Sequence, residues 1–146
     1  MPTHAEIRIL PYTSEQMFKL VADVQRYPEF LPWCIATRLR ERNDDVINAD
    51  LVVGYKFFRE SFTSKVQLFP YQKIDVFYEK GPFKYLNNHW KFKDLGDGRC
   101  EVDFYVDFEF KNSFFQQAMG LFFNEAVKML IQSFEKRAQE LYRGNS

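Results

Sequence analysis

At 146 residues, with twenty basic and twenty acidic side chains, the chain is sized for one domain with a real core and lacks the basic excess of a dedicated nucleic-acid binder. Aromatic residues make up 18% of it and seventeen are Phe, which suits a greasy interior free of polar atoms. Only two cysteines, no secretory signal and no run of about 18 apolar residues argue against a disulfide scaffold and a membrane-spanning helix, and fit a reducing cytoplasm.

Thr3 to Ile9 alternates as a strand ending at Pro11, with Ala5, Ile7 and Ile9 on one face and His4 on the other, solvent, side. Thr13 followed by Gln16 forms a capping box, and Met17, Leu20, Val21 and Val24 keep helical spacing behind it. Pro28 opens a second short helix that Pro32 stops. After Cys34 the period changes to two for about 75 residues. Six strands follow, separated at Asn43-Asp44-Asp45, before Phe58, at Phe69-Pro70-Tyr71, at Lys80-Gly81-Pro82 and at the hairpin turn Gly96-Asp97-Gly98. If that last turn holds three residues, Lys93 lies opposite Glu101 and Lys91 opposite Asp103, an ordinary solvated-face pairing.

Ser113 to Tyr142 then reads as one long helix, with Asn112 or Ser113 as its cap. Two apolar rows run along it, one through Phe115, Met119, Phe122, Ala126, Leu130 and Phe134. Between Ser113 and Leu130 the only charges are Glu125 and Lys128, so the first half carries more apolar surface than one sheet can cover. The surplus must meet a second layer, a partner, a membrane surface or a ligand. The order strand, two helices, six strands, long helix predicts an α+β fold: a curved seven-stranded antiparallel sheet gripping the C-terminal helix, in a single domain over residues 1–146.

Several polar residues interrupt the apolar faces. Glu60 lies between Phe58 and Phe62, and Asn88 between Leu86 and Trp90, with Thr37 and Ser64 as milder cases. An unpaired buried amide or carboxylate is costly, so each pairs near the sheet edge or serves as a polar anchor in an apolar pocket. Arg38, Arg40 and Arg42 alternate along one strand face, either as an ordinary outer face or as a basic stripe for RNA. No phosphate loop, dinucleotide fingerprint or metal-ligand spacing occurs. His4 and His89 are far apart, no catalytic residue is assigned, and acid–base work by Glu60 alone is the one enzymatic option.

Val24 to Cys34, reading Val-Gln-Arg-Tyr-Pro-Glu-Phe-Leu-Pro-Trp-Cys, resembles the signature of the coenzyme-Q-binding branch of the polyketide cyclase/START superfamily. Phe58 to Val66, Gly81-Pro82-Phe83 with Leu86 and Trp90, and Phe104 to Phe110 extend the resemblance over nearly the whole chain. The resemblance implies the same helix-grip fold and one of two roles. One is to bind ubiquinone or a related isoprenoid lipid, without any required cofactor, as a carrier or chaperone that supports respiration. The other is to dock on a ribosomal subunit as a toxin that blocks subunit joining, with Arg38, Arg40 and Arg42 as contacts; a cofactor-free cyclase trails both. The absence of a targeting extension points to the bacterial cytoplasm, at most peripheral to the inner membrane. For the lipid role, Phe58, Phe62, Leu86, Trp90, Phe115, Met119 and Phe122 are the expected cavity wall. Glu60 and Asn88 are the expected polar anchors, and Phe30, Leu31 and Trp33 a mouth or lid that touches the bilayer during transfer. No DNA partner and no metal are expected.

Overall fold

The computed structural model describes residues 3–55 and 58–142, apart from the side chains of Tyr55, Phe58 and Met119. The elements follow in the order β1 (Thr3–Leu10), α1 (Ser14–Ala22), a single 3-10 turn (Val24–Arg26), α2 (Tyr27–Phe30), β2 (Cys34–Arg42), β3 (Val46–Tyr55), β4 (Phe58–Phe69), β5 (Lys73–Lys80), β6 (Phe83–Asp94), β7 (Cys100–Phe110) and α3 (Ser113–Tyr142). The seven strands form one antiparallel sheet in the order β1-β7-β6-β5-β4-β3-β2. The long α3 lies against its concave face, which is the expected helix-grip.

Local signals act where the sequence puts them. The Gln16 amide donates to the Thr13 hydroxyl at 3.1 Å, and the Thr13 amide donates back to Gln16 Oε1 at 2.9 Å, closing the capping box of α1. Asn112 Oδ1 accepts from the amides of Phe114 and Phe115 and so caps α3. Gly96 and Gly98 both take positive φ, and the resulting hairpin sets Lys93 opposite Glu101 and Lys91 opposite Asp103.

The core fills one end of the grip. Met17, Leu20 and Val21 from α1 meet Ile131, Phe134 and Ala138 from α3 and Trp90, Phe92 and Phe104 from the sheet. Polar ties fasten the same end: the Tyr142 hydroxyl donates to Gln16 O at 2.7 Å, and Arg137 Nη2 donates to Glu29 at 2.7 Å. The first half of α3 is different. None of its described residues from Ser113 to Phe122 is buried, and Phe114 and Leu121 are 62% and 81% exposed. Much of the surplus apolar surface therefore faces outward rather than into the grip.

The phase of β1 is opposite to the expected one. Glu6 pairs with Phe104 and Arg8 with Val102, so His4, Glu6 and Arg8 share the concave face while Ile7 and Ile9 are 62% and 55% exposed outside. The strand's partner decides this: β7 fixes its own phase by burying Cys100, Val102 and Phe104, and β1 pairs with it as an edge strand. The inward charges are compensated where they lie, Glu6 between His4 and Arg8, and Arg8 also on Glu135 of α3. These partners hold the Glu6 carboxyl below, and the Arg8 guanidinium above, its ordinary range, the Glu6–Arg8 hydrogen bond being the largest cause in each.

The three arginines of β2 do not make a stripe. A bulge between Leu39 and Glu41 breaks the alternation, so Arg38 pairs with Asp50 but Arg42 pairs with Ile47, whose side chain points inward. Arg40 Nε donates to both Asp50 carboxylate oxygens at 2.8 Å.

Candidate functional site

Beyond the packed end, sheet and helix separate and enclose a chamber of about 230 Å³. Its floor is the concave face of the central strands: Phe62, Ser64 and Val66 of β4, Ile74 and Val76 of β5, Leu86, Asn88 and Trp90 of β6, and Val106, Phe108 and Phe110 of β7. Leu51 and Val53 of β3 form one side, and Tyr27, Leu31 and Trp33 from α2 and the turn after it close another. The roof is Phe123, Ala126, Val127, Leu130 and Phe134 of α3.

Aromatic rings stiffen the wall. Phe83 stacks on Phe110 at 4.8 Å and meets Phe62 and Phe108 edge-on at 5.4 and 5.5 Å. Phe134 meets Tyr27, Phe30 and Trp90 within 5.6 Å, tying α2, α3 and β6 together. Gly81 makes the close approach behind this cluster possible. Its φ is +145°, and a β-carbon there would stand 2.6 Å from Phe62 Cβ.

Five of the described lining side chains carry polar atoms, the indole of Trp90 among them. Tyr27 donates its hydroxyl to the Val21 carbonyl, and burial pushes its phenol well above the ordinary range. Asn88 Nδ2 donates to the Tyr105 carbonyl at 2.8 Å. The Trp33 indole nitrogen Nε1 and the Ser64 hydroxyl are buried without a hydrogen-bond partner among the described residues. Among the described residues, no Asp, Glu, Lys, Arg or His lines the chamber. Among the described residues no group of three or more His, Cys, Asp or Glu is placed to hold a metal. Both cysteines are free and buried, and burial pushes each thiol up to about 11.

Of the residues singled out from sequence, Phe62, Leu86, Trp90 and Asn88 lie on the chamber wall. Phe115 does not: it backs the aromatic cluster, its ring 6.2 Å from that of Phe110. Phe122 is half-buried outside the lining, and the neighbouring Phe123 takes the inward position. The side chains of Phe58 and Met119 lie outside the described residues. Glu60 faces Val53 in register and is half-buried, but it is not part of the wall. Leu31 and Trp33, expected at a mouth or lid, line the chamber. Phe30 packs on Phe134 with the Arg137 guanidinium over its ring at 5.2 Å and stays partly exposed. Thr37 is satisfied by donating to the Gln25 carbonyl at 3.3 Å. His4 belongs to the concave face, and His89 stacks on Tyr105. Sequence reasoning missed Phe123 and Val127, whose positions on α3 depend on the helix's rotation. It also missed the indole of Trp33 as a polar element, although a buried Trp N–H ordinarily finds a partner.

A curved antiparallel sheet, a gripping helix and an apolar chamber between them define a helix-grip protein built around an internal cavity. The family described as polyketide cyclase / dehydrase and lipid transport matches residues 10–135, and the chain belongs to it. The ribosome association toxin RatA of Escherichia coli (strain K12) is 38% identical over 142 residues, 97% of this chain and 90% of that protein. The mitochondrial coenzyme Q-binding protein COQ10 homolog B of Xenopus laevis is 34% identical over 95% of this chain, which spans 59% of that protein. In three dimensions the Zhui aromatase/cyclase from Streptomyces sp. R1128 superposes with a TM-score of 0.86 over 99% of this chain and 98% of that one, at 14% identity, a likeness of fold alone.

Proposed function

We propose that residues 1–146 act as one lipid-binding domain that holds ubiquinone or a related isoprenoid lipid between sheet and α3, as a carrier or chaperone supporting respiration. The observation that carries this reading is the chamber: about 230 Å³, lined by hydrocarbon with a few polar atoms and, among the described residues, no acidic, basic or histidine side chain. An apolar cavity of roughly 150 Å³ takes up benzene, so this one has room for a substituted ring but not for a long prenyl tail. The tail then runs out of the chamber, and the exposed Phe114 and Leu121 on the same helix offer it, or a bilayer, an apolar surface. In this reading the first half of α3 joins the mouth residues as a surface for transient membrane contact. None of the described helices is long and apolar enough to cross a membrane. In this reading the setting is the bacterial cytoplasm and the membrane face that borders it. The lack of a carboxylate or imidazole among the described lining residues favours binding over a cyclase-like proton transfer. Organic extraction of the purified protein followed by mass spectrometry tests the reading. A co-extracting quinone or prenyl lipid is the expected result, and a clean extract contradicts it.

A second reading, docking on a ribosomal subunit, rests on the name of the relative that matches 97% of this chain. The Arg38–Arg40–Arg42 stripe no longer supports it, since Arg40 is engaged by Asp50 and Arg42 departs from the shared face. Pelleting with ribosomal subunits that falls steeply with added salt, together with a clean lipid extract, is the outcome that favours this reading.

A further inference from the structure

The two ends of the sheet are finished differently. β2 closes one end, and its pairing with β3 is irregular at two places, between Cys34 and Ala36 and between Leu39 and Glu41. Bulges of this kind keep a sheet edge from templating another strand. β1 closes the other end, and its eight residues pair with β7 in unbroken register. Every second residue of such a strand turns its N–H and C=O away from the partner, and no described strand receives those of β1. The convex side of this edge is apolar: Ile7 and Ile9 are 62% and 55% exposed, and Ala5 before them on the same face is exposed too. No residue of β1 lines the chamber, so the edge is separate from the ligand site.

The charges of β1 select what covers it. Inward charges on an edge strand ordinarily bar a foreign strand, which leaves them unpaired. Here they are Glu6 and Arg8, one on either side of Ile7. Residues directly opposite in an antiparallel pair share a face, where opposite charges attract and like charges repel. When a second β1 pairs with Ile7 opposite Ile7, each Glu6 meets an Arg8, and each Ala5 meets an Ile9 on the convex side. Sliding the strands by two residues sets Glu6 against Glu6 in one direction and Arg8 against Arg8 in the other. The Glu6 and Arg8 side chains are 25% and 42% exposed, which leaves both room for a second partner beside their own ion pair and the Arg8–Glu135 pair. We infer that β1 is a self-recognition edge, through which two copies of this chain associate about a two-fold axis at Ile7 and continue the seven-stranded sheet from one to the other. An interface of one strand from each copy belongs to the small, transient class, so association rises with concentration.

Cysteine trapping on the full chain tests both the pairing and its register. Directly opposite residues have Cα atoms about 4.5–5.5 Å apart, within disulfide reach. The native Cys34 and Cys100 are buried and stand aside. With copper phenanthroline as oxidant, Ile7→Cys is expected to give a covalent dimer. Ala5→Cys and Ile9→Cys are each expected to stay monomeric alone, because the two copies of either position lie about 13 Å apart along the strands. Mixed together, those two variants are expected to cross-link. All three positions are exposed, and thermal unfolding of each reduced variant checks that it folds as wild type does. Sedimentation velocity supplies a second measurement. Wild type should dimerise with rising concentration, and Ile7→Lys, which sets like charges at the axis, should weaken the dimer roughly tenfold or more. Ile35→Lys, a comparable change at the exposed β2 edge, should leave it unaltered. No cross-link in Ile7→Cys, equal cross-linking by all three variants alone, a mixture that fails to cross-link, or a dimer that Ile7→Lys leaves intact overturns the inference.

Discussion

Ala126 gives the sharpest test of whether the chamber is real space. Its side chain lines the roof on α3 beside Val127 and Leu130. Ala126→Leu keeps a strong helix former in place, so its effect comes from packing. The change adds three carbons, and a cavity of about 230 Å³ has room for them. At about 0.8 kcal/mol per buried methylene, filling that space stabilises by up to about 2.4 kcal/mol. In a chain of this size about 1 kcal/mol shifts the melting temperature by about 3 °C, so the expected rise is up to about 7 °C. In a close-packed interior the same substitution costs about 1–3 kcal/mol instead. Thermal unfolding followed by circular dichroism, paired with titration of a short-tailed quinone, reads both quantities. The expected result is a melting temperature that holds or rises while quinone affinity falls at least tenfold. A lower melting temperature with unchanged affinity refutes the reasoning, because it means that the site is packed and that ligand binds elsewhere.

Three further outcomes follow from single features. Gly81→Ala forces a β-carbon against Phe62 at a φ of +145°, so it should destabilise by more than about 1 kcal/mol and reduce quinone binding through the displaced Phe62 ring, both measurable by denaturant unfolding and titration. The Asp50 carboxyl is held below its ordinary 3.8 by the Arg40 guanidinium and, to a lesser extent, by the Thr63 hydroxyl at 2.6 Å. A depressed folded value means stability that is present above the unfolded value and lost as pH falls through the folded one, so the deficit of Asp50→Asn should be seen at neutral pH and shrink below about pH 4 in unfolding curves. Buried thiols raised to about 11 are protonated at neutral pH, so iodoacetamide should label Cys34 and Cys100 slowly in the native protein and rapidly in denaturant; fast native labelling contradicts their burial.

Fold class was legible because it is written in periods. The switch from helical spacing to strict alternation after Cys34, the glycine turn at Gly96–Gly98 and the caps at Thr13 and Asn112 are local signals, and each acts in the structure as its chemistry dictates. What resisted reading was phase and rotation, which depend on neighbours. The apolar side of β1 looked like Ile7 and Ile9, yet β7 sets the pairing and turns Glu6 and Arg8 inward, where His4 and Glu135 compensate them. Along α3 two apolar rows compete, and the helix's rotation brings Phe123 rather than Phe122 to the chamber, a difference of one residue that no spacing rule resolves. The bulge in β2 that separates Arg40 from Arg42 has no glycine to announce it. Of the two polar residues that broke the pattern most sharply, Asn88 reaches the wall and Glu60 does not. The same pattern break at Ser64, milder by side chain, marks the more deeply buried unpaired group.

In the proposed function the space between sheet and helix is a ligand site, and the chain carries its own reporters of it. It has two tryptophans, Trp33 and Trp90, and both line the chamber. Titrating the solvent-extracted protein with a short-tailed ubiquinone, a quencher of indole emission on contact, should give saturable quenching at one equivalent that Ala126→Leu abolishes. Quenching that rises linearly without saturation, and equally in the variant, would mean that quinone meets the tryptophans only by collision and that the chamber is not its site.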